Sequence, residues 1–530
     1  MLHRRNFLSS VGSMALAGSF GRTLAGQVAQ PVSAPEGSAP QASPPSGPVT
    51  FTIDVRHPVG TLPHYWESTV GSGRAVLALR ADYQQDLDEV HKRTGIDTVR
   101  FHGIFDDEVG VCRLSPRGDV LHNFQYVDEI YDSLLDVGVR PFVELSFMPQ
   151  ALASGNKTVF WYKANVTPPK DIDAWVDLVT AFVRHLFERY GGVELSRWYF
   201  EVWNEPNLDF WAGTQEQYFD LYQRTATALK GVDKRLRVGG PATAETGWVS
   251  EFIQYCSQHD VPVDFFSTHI YANDPQVKVF GHETNYALED VIPLALQKVR
   301  NLVQSSDMPH LPIFITEWNS TYMNDSAITD SPFNAAFIVY TLSRCRGLVD
   351  SMSYWCFSDV FEEQGIVQNI FYGGYGMMAI RRIPKPSLHA FALMHRLGHD
   401  RLAVGNGPAV ATHRSDGSVA IIVWNLTPRD KQGKPTPGQT LSLRLVLRGL
   451  EHRNQLSVTR VDDSHGSALA AYQAMGSPQY PTVKQLHDLR RAAELPSPEK
   501  SLVAGGHYTE VPIDLPPSGI ALLEFQGKKG

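Results

Sequence analysis

Two glutamates stand where strand-like segments end among aromatic and amide side chains. One lies in Trp198-Tyr199-Phe200-Glu201-Val202-Trp203-Asn204-Glu205-Pro206-Asn207. The other lies in Ile313-Phe314-Ile315-Thr316-Glu317-Trp318-Asn319-Ser320. Period-two alternation places Glu201, Trp203 and Glu205 on one face of the first segment, with Glu205 outermost. Two carboxyl groups in an apolar site push each other's pKa apart, so that one stays protonated while the other is ionised near neutral pH. Hydrolysis of a glycosidic bond needs that pair. One carboxyl protonates the leaving oxygen, and the second attacks the anomeric carbon or activates water. A separation of ~5–5.5 Å gives attack and retention, and ~6.5–9.5 Å gives inversion. Taken singly, either glutamate could instead be the buried partner of a basic residue.

The elements that position them follow from the alternation around them. From about residue 62 to 398, short apolar runs alternate with amphipathic helices. Candidate strands lie near Tyr65–Val70 and at Thr98–His102, Val139–Phe147, Trp198–Trp203, Leu236–Gly239, Phe265–Tyr271, Ile313–Trp318 and Ser351–Phe357. They are apolar nearly throughout, as parallel strands buried on both faces are. Helical patterns between them end at Gly95, Gly138 and Gly191-Gly192, the usual helix stops. Eight strand–helix pairs predict a (β/α)8 TIM barrel, whose chemistry sits at the C-terminal strand ends. An open doubly wound sheet is the alternative. Its glycine-rich phosphate turn has no match but Gly374-Tyr375-Gly376-Met377-Met378-Ala379, too late in the chain.

Beyond Gly398 the texture changes. Val410–His413, Val419–Asn425, Leu441–Leu447, Leu456–Val461 and Ile520–Phe525 predict a C-terminal antiparallel β-sandwich over 399–530, interrupted by an insertion at about 464–505. Residues 49–61 alternate like a strand and are expected to pair with that sheet. At the other end, Arg4-Arg5 precedes an apolar run from Val11 to Ala17. Residues 1–29 therefore read as a twin-arginine-type signal, and 30–48 as a Pro/Ala/Ser-rich linker. That predicts a bacterial, extracytoplasmic protein. The run is too short to span a bilayer.

Composition narrows the class further. With 43% hydrophobic and 19% charged residues the chain is globular rather than disordered. A net charge of −9 leaves no basic excess for phosphates, which argues against nucleic acid. The four cysteines, Cys112, Cys256, Cys345 and Cys356, have no CxxC spacing and cannot staple a chain of 530 residues. HExxH, GxSxG and P-loop motifs are absent. The proposed chemistry needs no metal and no cofactor.

Trp203-Asn204-Glu205-Pro206-Asn207-Leu208 and the downstream Glu317 resemble the acid/base and nucleophile motifs of glycoside hydrolase family 39. The resemblance extends to Arg100-Phe101-His102-Gly103, to 140–149, to Ser267-Thr268-His269-Ile270-Tyr271, and to 354–365 with Ile383-Pro384-Lys385-Pro386. It implies a retaining barrel enzyme with Glu205 as acid/base and Glu317 as nucleophile. It also implies that Asn204 bonds the sugar 2-hydroxyl and that His102, His269 and Glu362 bind other hydroxyls. Tyr271 would orient the nucleophile, and Trp355 and Phe147 would form the apolar platform. The resemblance points to removal of single xylose units from the non-reducing ends of xylo-oligosaccharides. The alternatives are the same chemistry on an α-L-arabinopyranoside or β-D-galactoside, less readily on an α-L-iduronide, or a carbohydrate-binding protein without turnover. Asp359, Glu362 and Glu363 would repel a uronate carboxylate, although Arg381 and Arg382 could offset them.

Overall fold

The computed structural model of the protein describes residues 47–430 and 433–527. The expected signal and residues 30–46 of the linker lie outside the described residues. Eight strands close a parallel barrel: Val70–Arg74, Thr98–His102, Arg140–Leu145, Tyr199–Val202, Arg237–Thr243, Phe265–Tyr271, Ile313–Asn319 and Ser351–Tyr354. Each pairs in parallel with its neighbours in chain order, and the eighth meets the first through Tyr354 and Val70. Most strand residues are buried, which accounts for the continuous apolar runs.

Local chemistry sets the helix ends. Thr214 and Gln217 form a reciprocal capping box at Gln215–Val232. Helix Ala81–Thr94 stops at Gly95, held in the left-handed region at φ 70°. The helix expected to stop at Gly191-Gly192 bends there instead, with Gly191 at φ 78°, and continues to Leu195.

The first strand departs most from expectation. It begins at Val70, where the predicted segment ends, and runs Val70-Gly71-Ser72-Gly73-Arg74. Its glycines serve contact rather than strand propensity. A Cβ on Gly71 would lie 2.2 Å from the Trp355 ring.

The C-terminal strands order as Val49–Thr61, Asp400–Val404, Ala409–His413, Val419–Trp424, Ile520–Gly527, Leu441–Val461 and Glu499–Leu515. Residues 49–61 join this sheet, antiparallel to Asp400–Val404 and parallel to Leu441–Val461. That parallel pairing corrects a purely antiparallel sandwich. Two of the predicted strands are one continuous strand, Leu441–Val461. The insertion is also shorter than predicted. Its helices are Leu469–Ala474 and Val483–Ala493, and strand pairing resumes at Glu499.

Val419–Trp424 is buried on both faces. Ile421 and Val423 fill the sandwich core with Leu523 and Phe525, while Ala420, Ile422 and Trp424 face the barrel core. The same alternation thus builds one domain and glues it to the other. Arg429 adds a contact. Its guanidinium lies 4.6 Å from the Phe333 and Phe337 ring centres and donates to the Ser320 carbonyl at 3.0 Å, just past the seventh strand. Burial pushes its pKa down to about 10.

All four cysteines are buried and free. Among the described residues no helix is long and apolar enough to cross a membrane.

Candidate active site

The C-terminal strand ends converge on Arg100, a fully buried cation on the second strand. Its Nε donates to Glu201 Oε2 at 2.6 Å, Nη1 to Glu317 Oε1 at 3.0 Å, and Nη2 to Asn204 Oδ1 at 3.0 Å. Nη2 also lies 2.8 Å from Glu144 Oε2. Burial opposes its charge, and Glu144, Glu201 and Glu317 outweigh burial, so its pKa rises. One guanidinium thus ties the second, third, fourth and seventh strands and fixes Glu317 and Asn204 on either side of it.

Glu317 is held from its other oxygen as well, since the Tyr271 hydroxyl donates to Oε2 at 2.8 Å. Glu205 Oε1 lies 3.0 Å from His269 Nδ1, and His269 Nε2 lies 3.1 Å from Thr316 Oγ1. Thr316 in turn donates to Glu201 Oε1 at 2.8 Å. Glu205, His269 and Glu317 each offer an atom within 4.8 Å of the other two. Such a close approach of one oxygen from each carboxylate is compatible with the short carboxyl pair of a retaining site. It also suits a cation, but Arg100 already brings positive charge to Glu317 there.

The strand alternation stops at Val202. Trp203 adopts φ 73° and Glu205 φ 43°, so these residues leave the strand register. This corrects the shared face expected for Glu201, Trp203 and Glu205. The Trp203 indole donates to the Phe210 carbonyl at 2.7 Å and packs edge-on to Phe147 and Trp211. Glu201 turns to Arg100, and Glu205 reaches His269.

His102, at the end of the second strand, reaches Glu317 as well. Its Nδ1 lies 2.8 Å from Glu144 Oε2, and its Nε2 lies 3.8 Å from Glu317 Oε1 and 3.5 Å from Glu363 Oε1. Its ring centre is 4.9 Å from that of Trp355 and 5.9 Å from that of Phe147. Asn204 Nδ2 is buried and has no hydrogen-bond partner among the described residues, and His102 Nε2 and Glu363 Oε1 reach only each other, at the long distance of 3.5 Å. Buried polar groups are normally satisfied, so this end of the site can take a polar ligand.

Burial disfavours charge on His102, but the Glu144 carboxylate outweighs it and pushes the pKa up to about 9. The folded value lies above the ordinary ~6.5. The imidazolium therefore contributes its full stabilisation, about 3 kcal/mol, below pH ~6.5 and loses it as pH rises through about 9. His102→Gln is expected to flatten that part of the stability profile. Urea unfolding from pH 6 to 9.5 measures it, and an unchanged slope in the variant would contradict the assignment.

The profile of Glycosyl hydrolases family 39 matches residues 49–507. The chain belongs to this family. A β-xylosidase of Geobacillus stearothermophilus is 39% identical over 472 residues, spanning 87% of this chain and 92% of that protein. A β-xylosidase of Caldicellulosiruptor saccharolyticus is 37% identical, spanning 88% and 95%. The crystal structure of a monomeric β-xylosidase from Caulobacter crescentus superposes with a TM-score of 0.82 at 34% identity, covering 91% of this chain and 100% of that one. The family-39 chain is therefore a glycoside hydrolase.

Of the residues that the resemblance singles out in this family-39 chain, the structure gathers Glu205, Glu317, His102, Phe147, Asn204, His269, Tyr271 and Trp355. Glu362 is the exception. Its backbone sits at φ 59°, and its carboxylate turns away to Arg74 Nη2 at 3.2 Å and Arg80 Nη1 at 2.6 Å. The adjacent Glu363 faces His102 instead. Asp359 pairs with buried Lys385 at 2.6 Å, beside Asp330 at 2.7 Å, and so anchors the eighth-strand loop. Burial raises the pKa of Asp359, against the pull of Lys385.

Residue types alone gave no role to Arg100 or Thr316 in this family-39 site; a charge inside an apolar strand was the available signal for Arg100. Glu144 and Glu363 were expected only as structural or supporting acids; Glu144 supports Arg100 and His102, while Glu363 comes to face His102 at the pocket. A cavity of about 430 Å³ lies between barrel and sandwich, lined by Trp66, Arg346, Arg401 and Trp424 among others. None of the site residues lines it.

Proposed function

We propose that the protein is a retaining β-D-xylosidase acting on the non-reducing ends of xylo-oligosaccharides. The observation that carries the mechanism is the close approach of Glu205 and Glu317 in one buried site. Glu317, held by Arg100 and Tyr271, attacks the anomeric carbon from one side. Glu205 gives its proton to the departing oxygen and then takes one from the water that releases the sugar. Asn204 offers Nδ2 to the 2-hydroxyl, and His102 and Glu363 take hydroxyls further round the ring. Trp355 and Phe147 supply the apolar wall.

A neutral sugar suits the charges. Arg100 is engaged by three carboxylates, and His102 is engaged by Glu144. Asp359 is spent on Lys385 and Glu362 on Arg74 and Arg80, so Glu363 is the acid of the eighth-strand loop that faces the pocket, and Arg382 pairs with Glu89 at 3.1 Å away from it. The identities to two β-xylosidases support xylose over the other pentose and hexose sugars. We also propose export by the N-terminal twin-arginine-type segment, which would place the enzyme outside the cytoplasm.

The test is a panel of aryl glycosides: β-D-xyloside, α-L-arabinopyranoside, β-D-galactoside, β-D-glucoside and α-L-iduronide. The xyloside is expected to turn over at least about tenfold faster than any other. Preference for another sugar would discard xylose, and binding without release would favour a non-catalytic protein.

A further inference from the structure

A xylosyl ring bound between the two carboxylates has a fixed direction. Its glycosidic oxygen must meet Glu205, which follows the fourth strand and bonds to His269 on the sixth. The leaving group therefore departs over the fourth to sixth strand ends. The far edge of the ring points toward His102 and Glu363, at the ends of the second and eighth strands. A longer chain on the non-reducing side would have to continue past them.

That path is closed by a chain of alternating charges. Glu108 Oε1 pairs with Arg74 Nε at 2.6 Å, Arg74 Nη2 with Glu362 Oε2 at 3.2 Å, and Arg80 Nη1 with Glu362 Oε1 at 2.6 Å. Arg80 also pairs with Asp82 at 2.7 Å. The inner members are dry. The Arg74 side chain is 8% exposed and that of Glu362 14%, against 43% for Arg80. Partly buried, mutually bonded pairs hold their geometry better than isolated surface pairs.

A short hairpin after the third strand, Thr158–Val159 with Ala164–Asn165, is locked to this strap. The Phe160 ring stacks on His102 with centres 5.8 Å apart. The Trp161 amide donates to the Glu363 carbonyl at 2.9 Å. The Arg74 guanidinium lies 4.8 Å from the Tyr162 ring centre and 6.0 Å from that of Trp161. A Cβ on Gly365, at φ +103°, would stand 3.6 Å from the Trp161 indole. Trp161 itself is 54% exposed and crowns the rim.

We infer that the strap Glu108–Arg74–Glu362–Arg80 and the Trp161–Tyr162 hairpin form a wall that excludes a second sugar on the non-reducing side, and so enforce removal of one residue at a time. The inference rests on the β-xylosidase reading of the same pocket. It assigns specificity to residues that touch neither carboxylate of the pair, and it gives Glu362 a role other than sugar binding.

The experiment follows the first products from an aryl β-xylobioside. The wild-type protein releases xylose first and the aryl group only afterwards. Arg74→Ala opens the strap. Trp161→Ala is the second variant, because an exposed indole can be removed without risk to the core. Either variant is expected to release xylobiose and the aryl group together, raising the initial xylobiose-to-xylose ratio at least about tenfold. The rate on the aryl xyloside serves as the control for an intact site. Two folded variants that cleave the aryl xyloside and still release only xylose from the xylobioside would overturn the wall. A wild-type protein inert toward both xylosides would instead overturn the xylosidase reading and the wall with it.

Discussion

Glu317→Ala abolishes turnover of the aryl β-D-xyloside, with a loss of at least about 10⁴-fold in kcat. The carboxylate is the nucleophile of the account, and its removal leaves no group to form the glycosyl-enzyme. Arg100 and Tyr271 remain and keep the surrounding geometry. A small anion fits the volume vacated, so azide restores release of the aryl group and yields the α-xylosyl azide. Two observations would sink this. One is a variant that keeps a tenth of the activity; the other is an azide product of β configuration, which would mean that attack came from the Glu205 side.

The second large effect separates substrates by leaving group. Glu205→Ala removes the proton donor, so a substrate whose leaving group needs protonation loses about 10²–10⁴-fold. Xylobiose is such a substrate. An activated nitrophenyl or dinitrophenyl xyloside departs as a stable anion, and its first step is nearly spared. Its second step lacks the base that deprotonates water, so glycosyl-enzyme accumulates and a burst of aryl release precedes a slow steady state. Azide, needing no base, accelerates that steady state and gives the β-xylosyl azide. Equal loss on xylobiose and on the dinitrophenyl xyloside would remove Glu205 from the acid role.

The barrel was legible because its strands are buried on both faces and alternate with amphipathic helices. Thr98–His102 and Phe265–Tyr271 coincide with the expected segments, and Ile313–Asn319 is one residue longer. The first strand was displaced because Val70-Gly71-Ser72-Gly73-Arg74 carries no strand signal. Gly71 answers the bulk of Trp355, and Gly73 the backbone of Phe361, neighbours from the far end of the barrel sequence. Leu441–Val461 was split in two because Arg448, Gly449, Glu451 and Arg453 break the apolar run, although the backbone continues to pair with 503–508 and 527 across a register shift between Leu450 and Arg453.

The pair Glu205 and Glu317 was legible from strand-end position and neighbours. Their support was less so. Arg100 acts through contacts with three other strands, and no local spacing encodes those. Glu362 and Glu363 are adjacent acids in one loop. The positive φ at Glu362 and its pull toward Arg74 and Arg80 turn it away and leave Glu363 facing His102, and a residue without a turn signature gives no warning of that.

Trapping the glycosyl-enzyme shows whether Glu317 is the nucleophile. A 2-deoxy-2-fluoro-β-D-xyloside with an activated leaving group slows both steps and lets the glycosyl-enzyme persist. Peptide mapping by mass spectrometry then locates the sugar. A single label is expected on Glu317, formed in step with loss of activity and released as activity returns. A label on Glu205, Glu201 or Glu363, or inactivation without any covalent sugar, would contradict it.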